Sequence, residues 1–277
     1  MFTLNCKGKL LVINEPIVMG IINITADSFY KGHLQSSNGE ILMLAERMIA
    51  DGAAIVDIGG QSTKPGSISI SAEEELERVL PVIETLHKNL PGAILSIDTY
   101  YSKVAVAAVN AGASVVNDIS AGNMDAAMLS TVGTLNVPYV CMHMQGIPET
   151  MQKAPVYNDL IKDIIDFFIA KIEACKQAGI KDIIIDPGFG FGKTIAHNFE
   201  LLKALPVFSI LDKPLLVGLS RKGTIYRTLN ITAEEALNGT TTLNTIALMN
   251  GAAILRVHDV REAKEAIQLF TAYKKAP

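Results

Sequence analysis

The feature of this sequence that most constrains its fold is an alternation of short apolar segments with amphipathic ones, which runs from residue 17 to the end. The apolar segments are about four to eight residues long and rich in Ile, Val, Leu and Ala, as buried strands are. The amphipathic segments carry apolar residues at helical spacing, and several end at a capping glycine. Eight strand–helix units of about 35 residues each predict an α/β fold, a closed (β/α)8 barrel. An open doubly wound sheet is the alternative.

The boundaries follow from the same pattern. The predicted strands are Ile17–Asn23, Ala53–Gly60, Ile94–Thr99, Ser114–Ile119, Tyr139–His143, Ile183–Asp186, Leu215–Leu219 and Ala253–Val257. The predicted helices are Glu40–Asp51, Ser71–Asn89, Ser102–Ala111, Met124–Leu135, Tyr157–Ala178, His197–Leu205, Ala233–Met249 and Val260–Tyr273. Residues 1–13 alternate around a Lys-Gly-Lys turn and predict a short N-terminal β-hairpin. Because no change of composition marks a linker, we expect a single domain over residues 1–277.

Composition excludes several classes of protein. The net charge of −4 argues against nonspecific binding of nucleic acid. No apolar run reaches the roughly 18 residues of a membrane span, and the N-terminus lacks the order of charges and apolar residues found in signal peptides. The three cysteines, Cys6, Cys141 and Cys175, are scattered, so free thiols in a cytoplasmic protein are expected rather than disulfides.

Polar residues follow all eight predicted strands, where a barrel of this kind places its chemistry. Three of them are hydrogen-bond acceptors that suit a flat heterocycle with several N–H donors: Asp98, Asn117 and Asp186. Donors follow the seventh and eighth strands, where such barrels often bind phosphate: Ser220, Arg221, Lys222, Arg256 and His258. The residues alone therefore predict an amidine- or guanidine-like ring held by carboxylates, with a phosphorylated end at strands seven and eight.

The segment Asp186–Lys193 has an unusual composition, since three alternating glycines surround two phenylalanines after an Asp-Pro pair. Glycine allows close approach of the backbone and positive φ angles. The spacing matches neither a Walker-type phosphate loop nor a dinucleotide fingerprint. Lys193 is expected to act electrostatically or to be solvated.

Other catalytic classes find no support in the spacing of residues. No His/Cys/Asp group has the spacing of a zinc site, and no Gly-x-Ser-x-Gly motif predicts a serine hydrolase. His143, at a strand end, is expected to be a structural hydrogen bonder, and His197 a surface residue or helix cap.

Together these segments resemble those of the dihydropteroate synthases, a family of pterin-binding (β/α)8, or TIM, barrels. The resemblance covers nearly the whole chain after residue 16. It rests on eight segments in order, one at each strand exit: Met19–Thr25 with Asp27–Phe29, Asp57–Gly66, Ser96–Thr99, Asn117–Ile119, Met142–Gly146, Asp186–Lys193, Gly218–Lys222 and Arg256–Val260.

The resemblance implies an enzyme that condenses p-aminobenzoate with 6-hydroxymethyl-7,8-dihydropterin diphosphate. The products are 7,8-dihydropteroate and pyrophosphate, in folate biosynthesis. It also implies Mg²⁺ as cofactor, a homodimer and a target of sulfonamides. Composition, as argued above, predicts no nucleic-acid or membrane partner. Two further enzymatic or binding roles stay open at this point: a pterin-binding methyltransferase that serves a corrinoid protein, and a catalytically silent pterin-binding protein.

The family pattern also implies roles for residues. Asp98, Asn117, Asp186 and Lys222 would hold the pterin, and Met142 would line its pocket. Asn23, Arg256 and His258 would hold the diphosphate, with Asn23 near Mg²⁺. Thr63, Lys64, Pro65, Phe191 and Ser220 would shape the p-aminobenzoate side, and Gly218 would also contact substrate. The expected catalytic set is Asp98, Asp186, Lys222, Arg256 and His258.

The chain departs from the family pattern in its first two loops. Ala26 stands where the family usually has Pro, and Lys31 stands where many members have Asp. Gln61 replaces a common Glu, and Lys64 replaces a common Arg, which removes a bidentate donor. The effect of these four departures stays open, while the acceptors expected at the pterin floor are all present.

Overall fold

The computed structural model describes residues 1–24, 34–62 and 66–277, with the backbone alone described for residues 34–38. Ten strands are defined in these ranges: β1 (Phe2–Cys6), β2 (Lys9–Ile13), β3 (Ile17–Asn23), β4 (Ala53–Gly59), β5 (Leu95–Asp98), β6 (Val115–Asp118), β7 (Tyr139–Met142), β8 (Ile183–Asp186), β9 (Leu216–Val217) and β10 (Ile254–Val257). β1 and β2 form the predicted antiparallel hairpin. The other eight form one parallel sheet in the order β8-β7-β6-β5-β4-β3-β10-β9.

The sheet curls into a barrel and is closed between its two outer strands, β8 and β9. A parallel bridge joins Ile185 to Leu215, and the amide of Ile185 donates to the carbonyl oxygen of Pro214 at 3.0 Å. The predicted (β/α)8 barrel is therefore confirmed, and the doubly wound sheet is excluded. β9 is only two residues long, which is shorter than the predicted strand, because the chain turns into the site after Val217.

The helices surround the sheet. They are α1 (Leu34–Ala50), α2 (Ala72–Asn89), α3 (Ser102–Ala111), α4 (Met128–Leu135), α5 (Leu160–Gln177), α6 (Ile195–Ala204), α7 (Gly223–Leu229), α8 (Leu237–Met249) and α9 (Val260–Lys275), with a 3-10 helix at Leu205–Leu211. None of those in the described ranges has the length and apolar character that a bilayer crossing requires. The short α7 and the 3-10 helix were not predicted.

Three helices begin later than predicted, and side chains that brace the preceding turns explain the difference. Before α4, the carboxylate of Asp125 accepts from the amides of Ser102 and Ala127. Before α5, Asp159 is the N-cap and accepts from the amide of Lys162 at 3.0 Å. Before α8, the guanidinium of Arg221 donates to the carbonyl oxygens of Ala233 and Glu234. The sequence pattern cannot separate these ordered turns from a first helical turn.

Among the described residues the apolar core has two main parts, beside a small third cluster that includes Met142 and Phe191. The larger lies between the barrel and its helices. The smaller closes the N-terminal end of the barrel, where Leu4, Cys6 and Ile13 of the hairpin pack on inward-facing strand residues. All three cysteines are buried and free, as expected.

Candidate active site

The strand register gathers the predicted acceptors at the C-terminal end of the barrel. Asp98, the last residue of β5, lies beside Asn117 of β6, and Met142 of β7 lies beside Asp186 of β8. Arg256 enters from β10 on the opposite side. Because parallel strands end at one edge, five side chains that are far apart in sequence share one pocket floor.

An arginine joins two carboxylates at the centre of this floor. Arg256 donates from Nε to Asp57 at 2.7 Å and from Nη2 to Asp98 at 2.6 Å. Burial acts against the charge of Arg256, but Asp57 and Asp98 outweigh it and raise the pKa of the guanidinium. Burial raises the pKa of Asp98 as well, although Arg256 favours its charged form. Arg256, the predicted diphosphate donor, is thus held by ion pairs within the protein. It orients Asp98, which is predicted to bind the pterin.

Asp57 organises a second ligand through the same oxygen. The side-chain amide of Asn117 donates to its Oδ2 at 3.0 Å, which identifies that end of Asn117 as the NH₂ group, since a carboxylate only accepts. The carbonyl oxygen of Asn117 therefore stays available as an acceptor. Oδ1 of Asp57 is buried without a partner among the described residues. The sequence marked Asp57 only as a polar residue in an apolar strand and assigned it no role.

Asp186 and Lys222 form the other side of the floor. Asp186 is buried and accepts from the amide of Gly188 at 2.7 Å; burial raises the pKa of its carboxyl group. Lys222 donates to the carbonyl oxygen of Phe189 at 2.6 Å, and its ammonium lies 4.7 Å from the ring centre of Phe191. Burial lowers the pKa of Lys222 to about 8. An acceptor, Asp186, and a donor, Lys222, therefore lie next to the aromatic ring of Phe191, which forms an apolar wall of the pocket.

The loop after β8 needs its glycines for close contact. Gly188, Gly190 and Gly192 all have φ between 62° and 81°. A Cβ atom on Gly188 would lie 1.9 Å from the carbonyl oxygen of His143. The predicted glycine roles are therefore confirmed. The structure also answers the open question about Lys193: the side chain is buried at 2% exposure, so it is not solvated.

Of the donors from the last two barrel strands, Ser220 and His258 lie together at the mouth of the pocket. The Ser220 hydroxyl accepts from the backbone N–H of His258 at 3.2 Å and lies 3.0 Å from Nδ1 of its ring. The hydroxyl can donate to a bare Nδ1 or accept from an Nδ1–H, and in either case the contact orients the ring. The pKa of His258 is lowered to about 4, first because one side of the ring is buried against the protein and then because of the charge of Arg256.

Arg221 does not join this group, and its prediction as a phosphate donor is wrong. Its guanidinium forms a bidentate pair with Asp259 at 2.9 and 2.8 Å. It also donates to the carbonyl oxygens of Ala233 and Glu234 at 3.1 and 2.7 Å. These contacts use its donors to brace the turn before α8. Two arginines lie at the ends of neighbouring strands, and their strand positions alone do not show which one faces the pocket; the family pattern names Arg256.

Two histidines have the structural roles expected of them. His143 accepts a hydrogen bond from Lys193, and His197 completes a capping box with Thr194 at the start of α6. Ser71 caps α2 through the amide of Glu74.

Among the described residues no group of three acidic, His or Cys side chains could hold a metal ion.

The first two loops are described in part. Asn23 is exposed at the end of β3, and a Cβ atom on Gly59 would lie 3.7 Å from its Oδ1 and from Oδ2 of Asp98. Gln61 accepts from the amide of Ile70 at 2.9 Å and from the hydroxyl of Tyr100 at 2.8 Å, so it braces the second loop. The predictions for Ala26, Lys31, Thr63, Lys64 and Pro65 lie outside the described residues.

Gly218 is buried at the base of the pocket. A Cβ atom there would lie 3.7 Å from the ammonium of Lys222 and 3.9 Å from the Cβ atom of Arg256. The glycine keeps space open between these two cations. The pocket as a whole presents acceptors and carboxylates on its floor, cations between them, an aromatic wall and neutral donors at its mouth. Such a site can bind an aminopyrimidine ring and stabilise positive charge that develops on it.

Comparison with known proteins agrees with this chemistry. Residues 19–258 match the family described as "Pterin binding enzyme". The dihydropteroate synthase of Escherichia coli K12 is 42% identical over 268 residues, which cover 96% of this chain and 94% of that protein. Both the segment that matches the family and the alignment with this relative cover almost the whole barrel.

Two solved structures are similar throughout. A Yersinia pestis dihydropteroate synthase in a sulfonamide drug complex has a TM-score of 0.93 at 41% identity, covering 99% of this chain and 100% of that chain. A Xanthomonas albilineans dihydropteroate synthase with 4-aminobenzoic acid has a TM-score of 0.91 at 39% identity, covering 99% of each. These relatives share one activity and favour it over the methyltransferase and the silent binding protein.

Proposed function

This chain belongs to the dihydropteroate synthases of the pterin-binding enzyme family, and we propose how the residues of its pocket divide the work of that reaction. The enzyme is a transferase of folate synthesis. It joins p-aminobenzoate to 6-hydroxymethyl-7,8-dihydropterin diphosphate and releases pyrophosphate. The observation that carries the proposal is the Arg256–Asp57–Asp98 network, which preorganises the acceptors of the pterin floor before substrate arrives.

The floor recognises the pterin. Asp186 and the free carbonyl oxygen of Asn117 accept from the N–H groups of the ring, and Asp98 accepts from its other edge. Lys222 donates to the ring carbonyl group, and Met142 packs beneath the ring. The burial of Asp186, Asn117 and Met142 supports this assignment, because buried acceptors discriminate strongly for a ligand that satisfies them.

The same residues lower the barrier. When the bond between the methylene carbon and the diphosphate oxygen breaks, positive charge spreads into the pterin, and the carboxylates of Asp98 and Asp186 stabilise it. The amine of p-aminobenzoate attacks the methylene carbon and afterwards releases a proton to solvent. The reaction needs no strong base. Water must be kept from the cation, and the Phe191 wall serves that purpose.

The leaving diphosphate lies at the mouth, next to Arg256, His258 and Asn23. With a pKa near 4, His258 is neutral before substrate binds and donates from its ring N–H. Mg²⁺ fits Asn23, since this ion often takes few protein oxygens beside water and phosphate oxygens, and Asn23 offers one exposed carbonyl oxygen. When bound, Mg²⁺ would neutralise charge on the departing pyrophosphate.

The arylamine side is built by loops. Phe191 packs with Met142 and Ile119 and presents an apolar face, and Ser220 offers a hydroxyl at the edge. Thr63, Lys64 and Pro65 complete this side in the proposal. The ligands named for the two solved relatives, a sulfonamide and 4-aminobenzoic acid, support an arylamine site of this kind, and we expect sulfonamides to compete here.

We also propose a cytoplasmic homodimer that works as one domain per chain. A groove of about 890 Å³ lies between α8 and α9. Exposed apolar side chains line it, namely Met249, Leu269 and Tyr273. A second copy would bury them, and the three free buried cysteines support a reducing compartment. Sedimentation equilibrium of the chain tests the dimer, and a monomer at micromolar concentration would contradict it.

The direct test of the mechanism is Asp98→Asn. The purified chain should form dihydropteroate from both substrates with Mg²⁺, and the variant should lose most of its turnover, about 10²-fold or more. The control is Asp212→Asn, the same change at an exposed residue in the left-handed region, which Asn tolerates. Unchanged kcat/KM for Asp98→Asn would remove Asp98 from the mechanism, and a wild-type chain that binds pterin without product would favour a silent binding protein.

A further inference from the structure

Lys193 is a buried basic side chain that the mechanism above does not use; burial lowers its pKa to about 7, although the carboxylate of Asp186 favours the charged form. Its side chain is 2% exposed, and its ammonium lies 3.0 Å from the carbonyl oxygen of Gly188 and 3.1 Å from that of Phe191. A third partner is Nδ1 of His143, at 2.9 Å. Burying a lysine costs free energy unless its donors are paired, and here three partners converge on it. The arrangement therefore indicates a specific role.

His143 ties this ammonium to the loop after β7. When Lys193 is charged its ammonium only donates, so Nδ1 of His143 accepts and the neutral ring carries its hydrogen on Nε2. Burial, and then the charge of Lys193, lower the pKa of His143 to about 2. The ring is held edge-on against Phe167, with centres 4.9 Å apart. Lys193 thus has a rigid anchor on the side away from the pocket.

The two functional residues of the loop depend on Lys193 to different degrees. Asp186 is fixed by the barrel itself, since it pairs with Met142 and its carbonyl oxygen accepts from the amide of His143 at 2.9 Å. Phe191 lies beyond the strand. Its backbone contacts are the bond from its amide to Gly188 at 3.1 Å and the bond from Lys193 to its carbonyl oxygen. Loss of the ammonium would therefore release the position of Phe191, whereas at the floor it would remove only the weakest of the three nearby cations that favour ionised Asp186, after Lys222 and Arg256.

We propose that Lys193 is a positioning residue for the arylamine: its ammonium binds the carbonyl oxygens of Gly188 and Phe191 and thereby fixes the Phe191 ring. The proposal rests on the proposed function in that Phe191 borders p-aminobenzoate. Lys222 contacts the same loop from the pocket side, through Phe189 and the face of the Phe191 ring. The aromatic wall is therefore held between two lysines, one in the pocket and one behind it.

The experiment is Lys193→Met, which keeps an unbranched stem and removes the ammonium. We expect kcat/KM for p-aminobenzoate to fall about 10²-fold, because small misplacements of a positioning wall have effects of that size. The affinity for pterin diphosphate, titrated without p-aminobenzoate, should stay within about threefold of wild type. A lysine of purely structural importance would lower Tm without separating the two substrates. Equal losses for both substrates, or no loss for p-aminobenzoate, would overturn the proposal.

Two further variants sharpen the result. Lys171→Met is the matched control, because Lys171 also holds a loop, through Ala121 and Asn123 at 2.7 Å each. Asp118 braces that loop independently at the amides of Ser120 and Gly122, so little change is expected. Lys193→Gln keeps a shorter donor and should fall between Met and wild type; it replaces the Met variant if that one does not fold.

A double-mutant cycle shows whether Lys193 acts through Phe191. In a Phe191→Leu background, Lys193→Met should change kcat/KM for p-aminobenzoate by much less than in wild type, and additive effects would contradict the proposal. Wild-type turnover in the same assay tests the proposed function separately. If that turnover were absent, the affinity for p-aminobenzoate, measured with pterin and pyrophosphate present, would decide the Lys193 proposal alone.

Discussion

The two ends of this barrel are formed by the same strands and carry opposite kinds of side chain. At the N-terminal end the hairpin covers an apolar layer made of Leu4, Cys6, Ile13, Met19, Ile55, Val115, Val140, Ile184, Leu216 and Ile254. At the C-terminal end the strands finish in carboxylates, an amide and an arginine. The change occurs within a few residues of each strand. Ile55 lies in the closed end, and Asp57 binds Arg256 at the open end.

The difference separates what stabilises the barrel from what makes it useful. Apolar side chains stabilise the closed end at about 25 cal/mol for each Å² removed from water. The open end buries charges, which are costly even when paired, and leaves one oxygen each of Asp57 and Glu75 without a partner among the described residues. We infer that the closed end offsets part of the free-energy cost of a preorganised site. Substitutions at the two ends should then affect different measurements.

The largest expected effect is at the open end, for Asp186→Asn. The variant keeps an oxygen for the amide of Gly188 but lacks the negative charge that faces the pterin cation. We expect kcat/KM to fall by about 10²- to 10³-fold, as for the loss of a preorganised electrostatic group. Tm should not fall, because burial already disfavours the charged form of Asp186. A large fall in Tm would contradict the separation of roles between the two ends.

At the closed end, Leu4→Ala should show the opposite behaviour. Leu4 is 2% exposed in the apolar layer, so truncation should lower the free energy of unfolding by about 2–5 kcal/mol. The control on the same hairpin is Leu10→Ala, where the side chain is 68% exposed and little change is expected. Urea unfolding measures both. A change in KM for either substrate with Leu4→Ala would show that the two ends are coupled.

How far the sequence predicts this molecule also differs between the two ends. Periodicity and strand composition identify the barrel and hairpin, because burial on both faces of a strand leaves a direct trace in residue type. The acceptors Asp98, Asn117 and Asp186 were predicted since each follows an apolar strand. The hydrogen-bond and ion-pair partners of the side chains at the strand ends were not predictable. Strand position alone makes Arg256, which faces the pocket, and Arg221, which braces a turn, equivalent donors; only the family pattern assigns a substrate role to Arg256 and none to Arg221.

Lys193 and Asp57 show the same limit. One is a lysine in a glycine-rich loop, and the other is a carboxylate in an apolar strand. Their roles depend on His143, Asn117 and Arg256, which are distant in sequence and meet only through the barrel. The boundaries of α4, α5 and α8 were misplaced for a related reason, because side chains from within and beyond these segments hold the preceding turns.

A smaller effect, again at the open end, concerns pH. Burial raises the pKa of Glu75 from 4.5 to about 8, and its carboxylate accepts from Thr99 beside Asp98. Between these two pKa values, Glu75 keeps its proton in the folded state, whereas the unfolded chain has lost it. Its stabilising contribution is therefore complete below about pH 4.5 and is lost as the pH rises through about 8. Between pH 5.5 and 8, wild type should lose about 3 kcal/mol more than Glu75→Gln in urea unfolding. Equal pH slopes would show that Glu75 does not titrate in this way.

The smallest expected effect lies at the mouth of the pocket, for Ser220→Ala. The hydroxyl orients the ring of His258 through a 3.0 Å contact with Nδ1 but carries no charge. Its loss should lower kcat/KM by about 3- to 10-fold, the range of one neutral hydrogen bond. Ser209→Ala, an exposed serine bonded to the carbonyl oxygen of Pro206, is the control. A loss as large as that of Asp186→Asn would mean that the orientation of His258, rather than the charge of the floor, limits the reaction. No loss would mean that the backbone alone orients the ring.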